Sequence, residues 1–286
     1  MPKIFITGSN GFVGKSVVKL LSAYNFTNYS RFLNTKINDE IAVIHTAGLA
    51  HNKHDDKLFE KYKKANTDLT IKIFDSFLKS NAKTFIFFSS SKVSGLKNGF
   101  LVENKLSDQL NVYSKSKYLA ERYILKNTYP NKKIYIIRPS LIVGDNLKGN
   151  LKMLKIISCK SIPWIFEGLN NSISILDMRN LSYVLEKFIE DKIPSGIYNL
   201  ANDNPLKVNE LFMAMKMKRN KKYYGYNISP YFLKQLFDFG GFFKLPMLNS
   251  NTFKKLSENS KVSTKKLKKT VGNLPFNNSQ TIKRYL

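Results

Sequence analysis

The chain has 286 residues, 43% of them hydrophobic and 13% aromatic, which is apolar surface enough for one large domain or a domain with a smaller appendage. A mean hydropathy of −0.28, with no apolar run near about 18 residues, excludes a membrane span, and the single cysteine, Cys159, excludes an internal disulfide. The formal charge is +27, but only six of the 47 basic residues are arginines and the lysines are scattered along the whole chain; this reads as biased composition on a solvated surface, with an anionic substrate compatible and no nucleic-acid module to go with the charge.

In chain order, Lys3–Thr7 reads as a strand running into a glycine loop, without the layout of a signal peptide, so a cytoplasmic protein is expected. Gly14–Tyr24 carries Val17, Val18, Leu20 and Leu21 at helical spacing, and a weak strand follows near Tyr29–Phe32. Ile41–His45 is a clear strand, Leu69–Leu78 a helix, Thr84–Ser89 a strand, Ser116–Lys126 a helix and Lys133–Ile137 a strand. Apolar strands alternating with helices mark parallel βαβ units. The expected fold is therefore α/β, a Rossmann-type doubly wound parallel sheet. Only 36 residues lie between Gly8 and His45, too few for the usual complement, so an edge unit is expected to be trimmed.

After about Asn146 regular alternation is lost, apart from Ile173–Leu176 and Gly196–Leu200. Residues 1–146 are assigned to the dinucleotide-binding part. Residues 147–286 are assigned to a smaller α/β, mainly substrate-binding part with strands returning to the sheet. The aromatic stretch Tyr231–Leu248 suits a packed helix and turn of that cap, the alternative being a foot that contacts a membrane surface.

Gly8-Ser9-Asn10-Gly11-Phe12-Val13-Gly14 stands between a strand and a helix. Glycines in that setting permit a tight turn and close approach of backbone to a pyrophosphate, while the helix N-terminus supplies amide donors. All seven residues are candidate cofactor contacts. An acid ending the second strand would hold the ribose hydroxyls of NAD, but Ser30 and Arg31 stand there, with no carboxylate before Asp39. Arg31 could pair with the 2′-phosphate of NADP, so NADP is expected and NAD is the alternative.

Tyr113 and Lys117 lie four apart, one turn of a helix, downstream of the serine-rich strand end Ser89-Ser90-Ser91-Lys92-Val93-Ser94-Gly95. Together with Gly8/Gly11/Gly14 and Arg138-Pro139, in this order, they resemble the extended short-chain dehydrogenase/reductases, the NAD-dependent epimerase/dehydratase branch. Closer still is the likeness to the nucleotide-sugar 4-epimerases and 4-keto-reductases of surface-polysaccharide synthesis, whose strand end reads Ser-Ser-x-Lys-Val-x-Gly. Val43–His51 looks like the cofactor-side loop of that branch, and Asn66, Glu121 and Gly149-Asn150 also match. The resemblance implies Ser90, Tyr113 and Lys117 as catalytic residues. It adds Ala47, Gly48, Asn66 and Pro139 to the cofactor contacts, and Ser90, Lys92 and Asn150 as substrate contacts.

The chemistry suits the residue types. Tyrosine titrates near pH 10, and a neighbouring ammonium with a positive nicotinamide ring favours its phenolate. Tyr113 would move the proton of a sugar hydroxyl, Lys117 would tune it and hold the nicotinamide ribose, and Ser90 would bond the same oxygen. Ser91 and Lys92 stand where the 4,6-dehydratases of the branch carry Asp-Glu, which argues against dehydration. His45, His51 and His54 lack metal-ligand spacing, and no metal is expected. The diphosphate-clamping arginine common in the family is replaced by Ser172 and Ile173; Arg179 sits nearby at a usually acidic position, and Asn150 with Lys148 or Lys152 could serve instead. Phe166 could line a uracil pocket or pack in the core. The expected function is 4-keto-reduction at C4 of a UDP-sugar with NADPH. The alternatives are a UDP-sugar 4-epimerase with tightly bound NAD and a non-catalytic dinucleotide sensor or scaffold. The partner is a nucleotide sugar, with homodimerisation left open.

Overall fold

The computed structural model describes residues 1–29, 36–50, 56–147, 149–160, 162–242 and 250–286. The first half runs β1 (Lys3–Thr7), α1 (Phe12–Leu20), β2 (Asn25–Asn28), β3 (Ala42–His45) and α2 (Phe59–Tyr62). A π-helical turn at Lys63–Asp68 then leads into α3 (Leu69–Leu78) and β4 (Thr84–Phe88). A hairpin of β5 (Ser94–Lys97) and β6 (Phe100–Leu106) precedes α4 (Val112–Lys126) and β7 (Lys133–Pro139). Next come β8 (Leu141–Val143), α5 (Gly149–Ser158), β9 (Ser172–Ile173), β10 (Ile175–Asp177), α6 (Met178–Ile189) and β11 (Gly196–Leu200). The chain ends with β12 (Leu206–Lys207), α7 (Val208–Met217), α8 (Pro230–Phe242), α9 (Ser250–Ser257), α10 (Lys265–Val271) and α11 (Asn278–Tyr285).

The central sheet has six parallel strands in the order β2-β1-β3-β4-β7-β11. Alternate side chains leave each strand on opposite faces. Ile4, Ile6, Ile86, Tyr135 and Ile137 pack under α1 and α6 with Val17, Leu181 and Phe188. Phe5, Val43, Phe85, Phe87 and Ile136 pack under α3 and α4 with Phe74, Phe77 and Ile124. Burial on both faces explains why these strands are apolar throughout. A third cluster, with Leu151, Trp164, Leu211 and Phe212, is the core of the smaller second part. β11 completes the main sheet and α6 packs on it, although both follow residue 146.

Among the described residues no strand lies beyond β2, which agrees with a trimmed edge. The strand that pairs with β1 at this edge lies at Asn25–Asn28, ahead of the expected Tyr29–Phe32. The chain turns at buried Leu21, where the Tyr24 amide donates to the Leu21 carbonyl, and pairs with β1 at once, Asn25 bonding Pro2. Tyr29 continues the pairing, its amide donating to the Ile6 carbonyl; residues 30–32 lie outside the described residues. α1 and α4 also begin earlier than their apolar periodicity indicated, because Gly11 and Asn111 act as N-caps; the Asn111 carboxamide accepts from the Ser114 amide at 3.0 Å.

Candidate active site

The C-terminal ends of β1, β3, β4 and β7 meet along one edge, the crevice at which open α/β sheets take ligands. Gly8 sits at φ +74°, and a Cβ there would come within 2.7 Å of the Ala47 backbone nitrogen. A Cβ at Gly14 would run into the Gly8 carbonyl oxygen. Both glycines therefore let α1 start directly against β1, while Asn10 and Gly11 remain exposed at its N-terminus. There the first amides of the helix lack intrahelical acceptors, which suits an anionic phosphate group. Ser9, Phe12 and Val13 complete the turn and are partly buried.

The second wall is the loop after β3. Thr7 holds it: the Ala47 amide donates to the Thr7 hydroxyl at 3.2 Å and the Thr46 hydroxyl to the Thr7 carbonyl at 2.7 Å. His45 ends β3 fully buried, stacked against Phe87 and bonded through its two ring nitrogens to the hydroxyls of Thr7 (2.6 Å) and Thr70 (2.9 Å). Burial, reinforced by the charge of Lys117, lowers its pKa to about 3, so the ring is neutral. It is a structural strand-end histidine. His51 and His54 lie outside the described residues, among which no group of three or more His, Cys, Asp or Glu is arranged for a metal ion.

Asn66, on the π-helical turn, accepts from the Leu49 amide (2.7 Å) and donates to the Leu49 carbonyl (3.1 Å) and the Ser116 hydroxyl (2.9 Å). The neighbouring Thr67 hydroxyl donates to the Ser116 carbonyl at 2.8 Å. These bonds tie the Gly48–Leu49 loop to the first turns of α4. The Asn66 carboxamide, expected as a cofactor contact, is thus engaged with protein groups and holds the loop backbone in place. π-helical turns concentrate at functional sites for this kind of reason.

α4 presents Tyr113 and Lys117 on one face. Tyr113 is half-buried, its ring edge-on to Tyr62 at 6.4 Å. Burial raises the phenol pKa and the neighbouring Ser90 hydroxyl opposes the rise. Ser90 caps the turn Ser91–Val93, accepting from the Lys92 amide at 3.3 Å, so β4 and its cap aim the hydroxyl. The Lys92 side chain is exposed. Lys117 is 4% exposed; its ammonium donates to the Phe88 carbonyl at 2.8 Å and lies 4.9 Å from the centre of the Phe87 ring. Burial lowers its pKa to about 8, against the raising effect of Glu121 one turn on. Glu121 in turn is held by both ends of its carboxylate to Arg138, at 3.0 and 2.6 Å, with both side chains buried.

Two hydroxyls that the sequence reading passed over, Ser89 and Ser140, are buried at the ends of β4 and β7 without a protein hydrogen-bond partner. Buried polar groups are normally satisfied, so this edge retains bonding capacity for a ligand. Pro139 ends β7 beside them, paired with Leu200. A dinucleotide fits these observations: glycines that cannot bear a side chain, helix amides, a buried ammonium and spare hydroxyls on one edge. Arg31, Ser30 and Lys148 lie outside the described residues, as does the side chain of Asn150 in α5. Arg179 is locked on Asp177 at 2.7 Å and lies 3.6 Å from the Phe276 ring centre. Phe166 packs against Trp164 and Phe237, on the core side of the second part.

The family model described as the NAD dependent epimerase/dehydratase family matches residues 27–161. The UDP-glucose 4-epimerase of Vibrio cholerae is 27% identical over 256 residues, covering 77% of each chain. The sterol-4-alpha-carboxylate 3-dehydrogenase, decarboxylating, of Dictyostelium discoideum is 24% identical over 251 residues, covering 74% of this chain and 75% of its own. Among solved structures, RMD from Pseudomonas aeruginosa complexed with NADPH superposes with a TM-score of 0.74 at 16% identity, over 99% of this chain and 97% of that one. The UDP-N-acetylglucosamine 4-epimerase of Bacillus cereus gives 0.74 at 14% identity, over 99% and 97%. With its parallel sheet, its glycine turn and its Ser90–Tyr113–Lys117 edge, the chain is similar to the NAD-dependent epimerase/dehydratase family over the matched residues.

Proposed function

We propose that this protein is an NADPH-dependent reductase of the 4-keto group of a UDP-sugar. The observation that carries the reading is the meeting of Ser90, Tyr113 and the buried Lys117 ammonium at the end of β4, with the phenol in surroundings that favour its neutral form. A ketone reductase starts from that form, because it must give a proton to the carbonyl oxygen. The relatives support a nucleotide sugar as substrate: the Vibrio protein is a UDP-glucose 4-epimerase, and a structural neighbour, WbmG of Bordetella bronchiseptica, is in complex with NAD and UDP.

Gly8–Gly14 would hold the pyrophosphate, Ala47, Gly48 and Pro139 would line the dinucleotide, and Lys117 would bond the nicotinamide ribose. When bound, the reduced nicotinamide supplies a hydride to C4. Ser90 and Tyr113 both donate hydrogen bonds to O4, polarising the carbonyl. As negative charge grows on O4, the Tyr113 proton passes to it, so the ketone becomes an alcohol and the phenol a phenolate. The Lys117 ammonium, on the same helix face, favours that phenolate. Lys92 and Asn150 are proposed to contact the sugar nucleotide. Ser91 and Lys92 are no substitute for the carboxyl pair of a dehydratase, so water elimination is not part of the reading. The choice of NADPH rests on Arg31 and on the lack of any acid between the end of β2 and Asp39. A 4-epimerase with retained NAD is the second reading, favoured by the named activity of the Vibrio relative. The retained Ser90–Tyr113–Lys117 set argues against a mere sensor.

Gly11→Val places a branched side chain at the exposed mouth of the glycine turn. It is expected to abolish NADPH binding in a fluorescence titration while the circular dichroism spectrum stays native; retained binding would remove the dinucleotide assignment from this loop. Tyr113→Phe deletes one hydroxyl and should lower kcat by about 10²–10⁴-fold with cofactor affinity nearly unchanged. That is checked by nicotinamide absorbance over a panel of UDP-4-keto-sugars, and a Phe variant as fast as wild type would contradict the proton-transfer role.

Lys117 gives a pH test. An unfolded lysine titrates at 10.5 and the folded one at about 8, so between these values the unfolded chain binds more protons. Stability from this group therefore rises with pH across that window and is flat below it. Relative to Lys117→Met, wild type should gain in melting temperature from pH 8 to 10.5, while its NADPH affinity falls as the ammonium is lost. Parallel pH profiles for the two proteins would show that the ammonium is solvated rather than buried.

A further inference from the structure

We propose that α8 is a membrane-surface helix that lies in the interface of a bilayer bearing anionic lipids. Two parallel stripes run along it. Leu233, Phe237 and Gly240 are buried against the second part, the Phe237 ring packing at a tilt on Phe166 and Phe253. One position before each stands an apolar residue that faces out: Phe232 (64% exposed), Leu236 (44%) and Phe239 (64%), with Tyr231 (67%) on the first turn. The apolar arc of the helix is thus wider than the core it covers. Phe232, Leu236 and Phe239 share a face, because positions three and four apart lie over one another. At 13 residues the helix is about 20 Å long, enough to rest in an interface and too short to span one.

Charge decides the partner. Residues 218–244 contain six lysines and arginines and nine aromatics but one acid, Asp238, which Ser250 hydrogen-bonds. The segment before the helix carries exposed Lys221, Lys222, Tyr224 and Tyr226, and its Asn227 pairs with Phe166, which also packs on α8. Aromatic rings with lysines at their flank are the composition that seats a protein at an anionic headgroup layer. A second copy of the chain would set these lysines against each other in a protein already at +27, whereas an anionic surface complements them.

The test is co-sedimentation of the full chain with phosphatidylcholine vesicles, with and without phosphatidylglycerol. Binding is expected only with phosphatidylglycerol, and is expected to weaken as salt is raised. Phe232→Ser/Leu236→Ser should lower partitioning at least about tenfold, two buried anchors being lost. Lys221→Glu/Lys222→Glu should lower it roughly thirtyfold, from about 1 kcal/mol for each lysine. Both variants should keep a native circular dichroism spectrum and NADPH affinity. No sedimentation of wild type with phosphatidylglycerol, or binding unchanged by Phe232→Ser/Leu236→Ser, would overturn the proposal. So would self-association in sedimentation velocity that the same substitutions abolish, since a second copy would then be what covers the face.

Discussion

Lys117 carries an ammonium into a region that water barely reaches, and much of the surrounding structure follows from keeping it there. Its charge rests on the Phe88 carbonyl and over the Phe87 ring, at the end of β4. Residue 48 must be glycine beside it, because a Cβ there would stand 2.6 Å from the Asn66 carboxamide oxygen and 3.1 Å from the ammonium. Asn66 then fixes the Leu49 backbone and Ser116. Glu121, one turn along α4, offsets part of the desolvation and is itself neutralised by Arg138 on β7. Removing one member of such a buried pair leaves an uncompensated charge and costs about 3–5 kcal/mol. The charge that the proposed chemistry would use is thus tied to β4, to the loop after β3, to the π-helical turn and to β7 at once.

The same arrangement sets the character of the site. Tyr113 starts α4 and inherits the orientation that Asn111, Ser116 and the π-helical turn impose on that helix. Its phenol is kept neutral by burial, with Ser90 as the opposing influence. His45, nearest in kind to a competing base, is held neutral and bonded on both sides. Among the described residues this edge offers hydroxyls and ammoniums, donors to an oxygen, without a carboxylate at Ser91 or Lys92 to take a proton from carbon. Such a set suits the proposed proton transfer at an oxygen and lacks the carboxyl pair that elimination would need.

Much of the first half was legible in the sequence because its strands are buried on both faces and therefore apolar from end to end. Thr84–Phe88 and Leu69–Leu78 stand as the periodicity indicated. β2 was misplaced because an edge strand of Asn-Phe-Thr-Asn, half exposed, carries no such signal; its position comes from pairing with β1. The start of α4 was set four residues late, although Asn111 three before Ser114 is a readable cap. The part played by Asn66 could not be read, since nothing local reveals a side chain that bridges residues 49 and 116. Ser89 and Ser140 matter only through the partners they lack, a property of the fold. The second half stayed largely opaque because short strands such as Ser172–Ile173 owe their form to distant partners, here Leu206 and Lys207.

The central claim, hydride delivery to C4 assisted by Tyr113 and Ser90, has a direct isotopic test. The protein is incubated with NADPH deuterated stereospecifically at the nicotinamide C4 and with a UDP-4-keto-sugar, and the product is read by mass spectrometry and proton NMR. The account predicts one deuterium at C4 of the sugar, with one NADPH oxidised for each alcohol formed. A 4-keto-sugar left unreduced, with a UDP-hexose offered in its place inverted at C4 with its protium retained and no NADPH consumed, would contradict it and make the protein an epimerase.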